Sequence, residues 1–216
     1  MTHASSSEPH RSLEIERKYD VSDATPLPDW DALPGVVSVG PAEVRELDAR
    51  YFDTDRLDLA RAGVAVRRRE GGPDAGWHVK ASATGGRSEW GWPLDTRSPE
   101  DDPDAAVPGV IAEAVAQWAG PPFLPLARIR NTRTAYALLD RDGGLVAEFV
   151  DDRVTGWDER GGSQTSWREW EVELGPAAPD SETEREQLFA AVDAAVTAAG
   201  GGPAASDSKL GRVLGH

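Results

Sequence analysis

The sequence contains no cysteine, which rules out disulfide bonds, thiolate metal ligands and a cysteine nucleophile. It also has no apolar run long enough to cross a bilayer. The first eleven residues are polar and lack the apolar stretch of a secretory signal, so we expect residues 1–11 to form a flexible tail. From these absences we predict a cytoplasmic protein that does not contact a membrane.

Basic residues are scarce, because 23 Lys and Arg stand against 38 Asp and Glu and give a formal net charge of −15. Such an acidic field repels nucleic acid and anionic membranes at long range, so we expect no nucleic-acid partner. The basic residues that are present are concentrated in 67–69 and again at Arg128, Arg130 and Arg133. Basic patches on an acidic chain indicate a site for a small anion.

Alternation of apolar and polar residues predicts a sheet with flanking helices. Helices are expected over 110–119 and from the capping box of Ser181 and Glu184 to about Ala199, with a surface loop at 95–107. The fold class is therefore α+β, and 12–214 is expected to form a single domain. Eight segments carry the period of a strand: 13–21, 45–53, 63–70, 77–83, 87–94, 128–139, 145–154 and 166–174.

Charged residues occupy every second position on one face of three predicted strands. The three sets are Glu14, Glu16 and Lys18; Arg67 and Arg69; and Glu169, Glu171 and Glu173. A solvated face with cross-strand ion pairs would explain any one set, but like charges roughly 6.5 Å apart repel unless opposite charge lies between them. Mg²⁺ or Mn²⁺ would supply that charge to the carboxylates, and a polyphosphate would supply it to the arginines.

Other common phosphate-binding and hydrolytic motifs are missing. The sequence has no Walker A sequence, no strand-linked G-x-G-x-x-G, no G-x-S-x-G and no H-E-x-x-H. His78 shares strand parity with Lys80, although a structural or surface histidine is the simpler interpretation.

Several short motifs follow one another in a fixed order. They are Glu14-Ile15-Glu16-Arg17-Lys18, Tyr51-Phe52-Asp53-Thr54, Val66-Arg67-Arg68-Arg69-Glu70, Trp77-His78-Val79-Lys80, Arg133-Thr134-Ala135-Tyr136, Glu171-Val172-Glu173 and Ser208-Lys209-Leu210. In this order and over roughly 12–214 the chain resembles the CYTH domain proteins, also called triphosphate tunnel metalloenzymes.

The resemblance implies a closed antiparallel β-barrel, or tunnel, of about eight strands with flanking helices. The metal ligands that it implies are Glu14, Glu16, Asp151, Glu171 and Glu173. The substrate-binding residues that it implies are Lys18, Arg67, Arg69, Lys80, Arg133 and Lys209, of which Lys18 and Arg69, together with Glu16, are also assigned to catalysis. Two choices stay open: Glu169 could replace Glu173 as the partner of Glu171, and Asp152 could replace Asp151.

The function that the resemblance implies is hydrolysis of the terminal phosphate of a triphosphate, with Mg²⁺ or Mn²⁺ as cofactor. Inorganic tripolyphosphate, thiamine triphosphate and nucleoside triphosphates are all candidate substrates, because the assigned residues contact the shared phosphates. Two alternatives are a class IV type adenylyl cyclase and a polyphosphate-binding module without turnover. We expect a monomer or a homodimer.

Overall fold

The computed structural model describes residues 8–30, 32–96 and 106–215. Within these ranges the chain is a β-rich α+β protein, as predicted. The first seven residues of the expected tail lie outside the described residues, and strand β1 begins at His10. Most of the loop expected at 95–107 also lies outside them.

The described residues form eleven strands and four helices. The strands are β1 His10–Glu14, β2 Glu16–Val21, β3 Ser38–Val39, β4 Glu43–Asp53, β5 Val64–Glu70, β6 Gly76–Ala83, β7 Gly86–Trp92, β8 Leu124–Leu139, β9 Leu145–Asp158, β10 Gln164–Leu174 and β11 Gly202–Pro203. The helices are α1 Asp58–Arg61, α2 Gly109–Ala114, α3 Glu182–Ala199 and α4 Lys209–Leu214.

The strand count differs from the expected eight for two reasons. The first predicted strand is interrupted at Ile15, and its two parts pair with different strands, β1 with β7 and β2 with β10. The two-residue strands β3 and β11 are too short to show a period in the sequence. All the pairings for which a register is known are antiparallel.

The expected closure into a barrel is not found in the strand order of the described residues. That order is linear, β1-β7-β6-β5-β4-β8-β9-β10-β2-β11, with β3 paired to β8. The edge of β2 that does not face β10 is covered by β11, whose Pro203 lies opposite Tyr19. Proline has no amide hydrogen to donate, which explains why the ladder ends there.

The chain divides into two compact units, which we describe separately. Unit 1 comprises Met1–Glu14, Leu47–Arg130 and Gly156–Thr165, within which β5 and β6 form the predicted hairpin. Its turn contains Gly71 and Gly72 at φ 78° and 74°, a backbone conformation that glycine adopts without strain. The core of unit 1 packs the tryptophans of β6 and β7, Trp77 and Trp92, against α1 and α2.

Asp53 has a structural role in unit 1. Its buried carboxylate accepts hydrogen bonds from the backbone amides of Leu59 at 2.9 Å and Ala60 at 2.9 Å, and so caps α1. We expect Asp53→Ala to lower the free energy of unfolding by about 2–3 kcal/mol, because buried amide donors lose their acceptor. Urea denaturation measures this loss. Asp55→Ala, an exposed change in the same loop, is the control, and an equal effect of the two substitutions would refute the capping role.

Unit 2 comprises Ile15–Glu46, Asn131–Thr155 and Ser166–His216. Helix α3 begins at the predicted capping box, where Ser181 Oγ accepts from the amide of Glu184 at 3.2 Å, and it ends at Gly200 with φ 96°. One face of α3 buries Leu188, Val192 and Val196 against Trp170 of β10 and Phe149 of β9. This packing holds β9 and β10 rigidly, and the opposite face of those strands carries the charged residues described next.

Candidate active site

Three buried carboxylates meet in unit 2 and form what we call the acidic cluster: Asp152 of β9 with Glu169 and Glu171 of β10. One oxygen from each lies within 4.8 Å of the others, and their exposed fractions are 0%, 4% and 7%. Carboxylates are almost never buried without a partner, because the loss of hydration is costly. The cluster therefore requires positive charge close by.

Lysine 209 supplies part of that charge from the first position of α4. Its Nζ lies 2.8 Å from Asp152, 2.5 Å from Glu169 and 2.8 Å from Glu171. Ser208 caps this helix by accepting from the amide of Gly211 at 2.9 Å, which fixes the place where Lys209 leaves the backbone.

Arg133 and Lys18 complete the positive side of the site. Arg133 of β8 binds Asp152 through two nitrogens at 2.8 and 2.7 Å and reaches Glu171 at 2.7 Å. Lys18 lies directly opposite Glu171 in the pairing of β2 with β10, and its Nζ contacts both Glu171 and, at 3.0 Å, Glu16. Four carboxylates thus face three cationic groups, and the site keeps a formal negative charge.

The pKa values of the cluster follow from this pairing. Burial alone would raise the pKa of Glu171, but Lys18, Lys209 and Arg133 hold it well below its ordinary value. Burial likewise opposes charging of Lys209, yet Asp152 and Glu171 raise its pKa well above the usual range. The carboxylates are therefore ionised at neutral pH and available as metal ligands or proton acceptors.

The acidic cluster fits a hard divalent cation. Mg²⁺ and Mn²⁺ prefer carboxylate oxygens, and the cluster offers three side chains from two neighbouring strands. Glu169 Oε1 is buried and accepts no hydrogen bond of ordinary geometry, although it lies close to Lys209. An oxygen with unused lone pairs in this position is what a metal ligand requires.

The structure separates the two neighbouring aspartates whose choice was open. Asp151 binds Arg168 through two bonds of 2.8 and 2.9 Å and accepts from the indole of Trp170 at 3.2 Å. Asp152 points to the other face of β9 and joins the acidic cluster. Because Asp151 is engaged in an ion pair on the helix side, Asp152 replaces it in our assignment of the metal ligands.

The choice between Glu169 and Glu173 is informed in the same way. Glu169 lies in the acidic cluster with Glu171, whereas Glu173 is less buried and is paired in register with Glu16 at the start of β2. The role of Glu173 and Glu16 as metal ligands stays a prediction.

A second set of charged residues lies in unit 1, and we call it the Glu89 cluster: Glu14, Arg67, His78, Lys80 and Glu89. Glu89 lies 2.7 Å from His78 Nδ1, 3.5 Å from Arg67 and 3.6 Å from Lys80, and Lys80 also binds both oxygens of Glu14 at 2.6 Å. Arg69 of the same strand as Arg67 contacts Asp74 in the hairpin turn. Three of the predicted phosphate-binding residues are thus held by acids within unit 1.

Glu14 and Glu89 share a hydrogen bond, and their pKa values move in opposite directions. Burial, reinforced by that bond, raises the pKa of Glu14 to about 7. Glu89 resists the same effect of burial because His78, Lys80 and Arg67 surround it, and its pKa is lowered. Burial also lowers the pKa of His78 to about 4, so this histidine is neutral at physiological pH.

This arrangement predicts a pH dependence of stability. A raised pKa in the folded state means that the stability contributed by protonated Glu14 is lost as the pH rises through about 7. Between about pH 5 and pH 8, in the presence of a chelator, we expect the wild type to lose about 3 kcal/mol relative to Glu14→Gln. Urea denaturation at several pH values measures the difference, and parallel curves for the two proteins would contradict it.

The sequence reasoning missed Glu89 and set His78 aside. The signal that could have found Glu89 is the register of β6 with β7, where it lies directly opposite Lys80. That register cannot be read from the alternation alone, because the turn between the strands fixes it.

Comparison with known proteins decides the family. The sequence profile of the CYTH domain matches residues 12–192 of the chain. The chain belongs to the CYTH domain family. The CYTH match contains every predicted site residue except Lys209, which follows it in α4.

Relatives and solved structures agree with this membership. An uncharacterised protein of Mycobacterium tuberculosis is 37% identical over 218 residues, covering 96% of this chain and 41% of the relative, so the chain spans about two fifths of that protein's length. A candidate adenylate cyclase from Bacillus halodurans has the same fold, with a TM-score of 0.60 at 18% identity over 94% of this chain and 97% of its own.

A third similar protein is a candidate adenylyl cyclase from Hippeastrum, described as having a dominant triphosphatase activity. Its TM-score is 0.56 at 19% identity, covering 94% of this chain and 96% of its own. Among the described residues, no helix is both long enough and apolar enough to span a bilayer.

Proposed function

We propose that the protein is a metal-dependent triphosphatase of the CYTH family that releases the terminal phosphate of a small triphosphate. The observation that carries this proposal is the acidic cluster of three buried carboxylates with Lys18, Arg133 and Lys209 around it. Acidic groups for a cation and basic groups for phosphate are brought together within one unit, which is what binding of a metal-bound triphosphate requires.

Asp152, Glu169 and Glu171 would hold the divalent cation, with Glu16 as a further predicted ligand. Bound there, the cation would neutralise phosphate charge and lower the pKa of water. Lys18, Arg133 and Lys209 would then turn from the carboxylates to the phosphate oxygens and stabilise the negative charge of the transition state. Because all three are already fixed by short contacts, little reorganisation is needed.

Glu16 is our candidate for the group that accepts the proton of the attacking water. It is bonded to Lys18 at 3.0 Å and is less enclosed than the acidic cluster, so a water can reach it. The family resemblance assigns further phosphate contacts to Arg67, Arg69 and Lys80. Their acidic partners in unit 1, Glu89 and Glu14 among them, keep them oriented in the absence of substrate.

A class IV type adenylyl cyclase is the second candidate, because two similar structures are named candidate adenylate or adenylyl cyclases. We rank hydrolysis first since the Hippeastrum protein is described as predominantly a triphosphatase. The charged clusters account for recognition of phosphates alone, and neither reveals a preference for an adenine base. The predicted partner is therefore a small triphosphate or polyphosphate.

The test is a product assay with tripolyphosphate, thiamine triphosphate and ATP, each with Mg²⁺ or Mn²⁺. We expect orthophosphate as the product, dependent on the cation, and the relative rates to rank the substrates. Cyclic AMP with pyrophosphate would assign the protein to the cyclases instead. Absence of any turnover, with tripolyphosphate still raising the melting temperature, would leave a binding module and overturn the enzymatic proposal.

A further inference from the structure

Asn131 of β8 carries a buried donor without a partner. The residue is 7% exposed, and its Nδ2 is enclosed yet makes no hydrogen bond within the part of the chain that the structure describes. Buried side-chain amides in folded proteins are nearly always hydrogen-bonded, because desolvation without compensation is unfavourable. An unpaired Nδ2 therefore indicates that a bound molecule completes the site.

The position of Asn131 relates it to the candidate active site. Side chains alternate along a strand, so Asn131 shares a face with Arg133, roughly 6.5–7 Å along β8, while Thr132 points to the other face. Arg133 reaches the acidic cluster at Asp152 and Glu171. Thr132 instead donates to Glu46 at 2.9 Å, which confirms that the two faces have different surroundings.

We propose that Asn131 is a further substrate-binding residue, whose Nδ2 donates a hydrogen bond to a non-bridging phosphate oxygen of the triphosphate. This inference rests on the proposed function of the neighbouring cluster. Phosphate oxygens only accept hydrogen bonds, so the missing partner of a donor is of the right kind. A neutral amide also adds a donor without adding positive charge, which would compete with the cation for the carboxylates.

The experiment compares Asn131→Ala and Asn131→Asp with Thr132→Val, a change on the same strand that faces away. With tripolyphosphate as substrate, we expect Asn131→Ala to raise KM about 10-fold to 100-fold, the range for hydrogen bonds to charged groups, with little change in kcat. Asn131→Asp should bind more weakly still, because a carboxylate repels phosphate. Thr132→Val should leave KM unchanged.

Stability without ligand separates this role from a structural one. Because Asn131→Ala removes a donor that has no partner, the melting temperature of the ligand-free protein should not fall. A lower melting temperature together with an unchanged KM would overturn the proposal and make Asn131 a structural residue. A loss seen with ATP or thiamine triphosphate but not with tripolyphosphate would also overturn it, since the contact would then be to the organic group.

The result also remains distinct from the fate of the proposed function. If the wild type hydrolyses no triphosphate, the catalytic proposal fails, but the contact can still be measured as the rise in melting temperature that tripolyphosphate produces. A smaller rise in Asn131→Ala than in Thr132→Val would support the contact. Equal rises, or no rise in the wild type, would refute it.

Discussion

Replacing Asp152 by asparagine is expected to lower the rate of cation-dependent orthophosphate release by about 100-fold or more. Asp152 is fully buried and provides one of the three carboxylates of the acidic cluster. Asparagine keeps the shape but removes the charge that a divalent cation requires, and electrostatic groups of active sites typically contribute factors of this size. Steady-state rates over a range of Mg²⁺ and Mn²⁺ concentrations measure the loss.

Asp151→Asn is the matched control for this prediction. The neighbouring carboxylate binds Arg168 and Trp170 on the other face of β9, away from the acidic cluster. We expect this substitution to cost about 1–3 kcal/mol of stability through the weakened ion pair, while the rate at saturating cation stays close to that of the wild type. If Asp151→Asn removed the activity and Asp152→Asn preserved it, the assignment of the two aspartates would be reversed.

Removing Lys209 is expected to have the second largest effect. In Lys209→Met the three carboxylates of the acidic cluster lose the single amine that contacts all of them. Breaking a buried charge pair by removing one partner costs about 3–5 kcal/mol, so the protein should be strongly destabilised in a chelator. Mn²⁺ should then raise the melting temperature of Lys209→Met more than that of the wild type, because the cation replaces the missing charge.

The rate of hydrolysis should nevertheless stay low when Mn²⁺ restores the fold of Lys209→Met, since a phosphate contact is lost. Arg212→Met on the same helix is the control. Arg212 binds Asp20 and stacks on Trp167 at the margin of unit 2, so its removal should leave the response to Mn²⁺ unchanged. An identical response of Lys209→Met and the wild type would mean that the cation does not bind in the acidic cluster.

Local rules predicted those features of the fold that depend on short stretches of sequence. The capping box at Ser181 and the hairpin of β5 with β6 are confirmed, because both follow from residues within a few positions of one another. The helix expected at 110–119 is shorter, ending at Ala114, with only turns before Gly120. The break at Ile15 could not be predicted, since the alternation continues through it and only pairing with distant strands interrupts it.

The candidate site shows the same division. Strand parity placed Lys18 and Glu171 with charged neighbours, and their direct pairing follows from the register of β2 with β10. Parity could not choose between Asp151 and Asp152, because adjacent residues point to opposite faces and the sequence does not show which face α3 covers. Asn131 carries no charge and belongs to no motif, so only its burial without a partner reveals it.

The most direct test of the account is the rate of orthophosphate release from tripolyphosphate as Mn²⁺ is added, for the wild type beside Glu171→Gln. Glu171 lies at the centre of the site, in contact with Lys18, Arg133 and Lys209. The account predicts a rate that rises with Mn²⁺ in the wild type and is almost abolished in Glu171→Gln at every concentration. Equal, cation-dependent rates in both proteins would contradict it, because the acidic cluster would then have no part in the reaction.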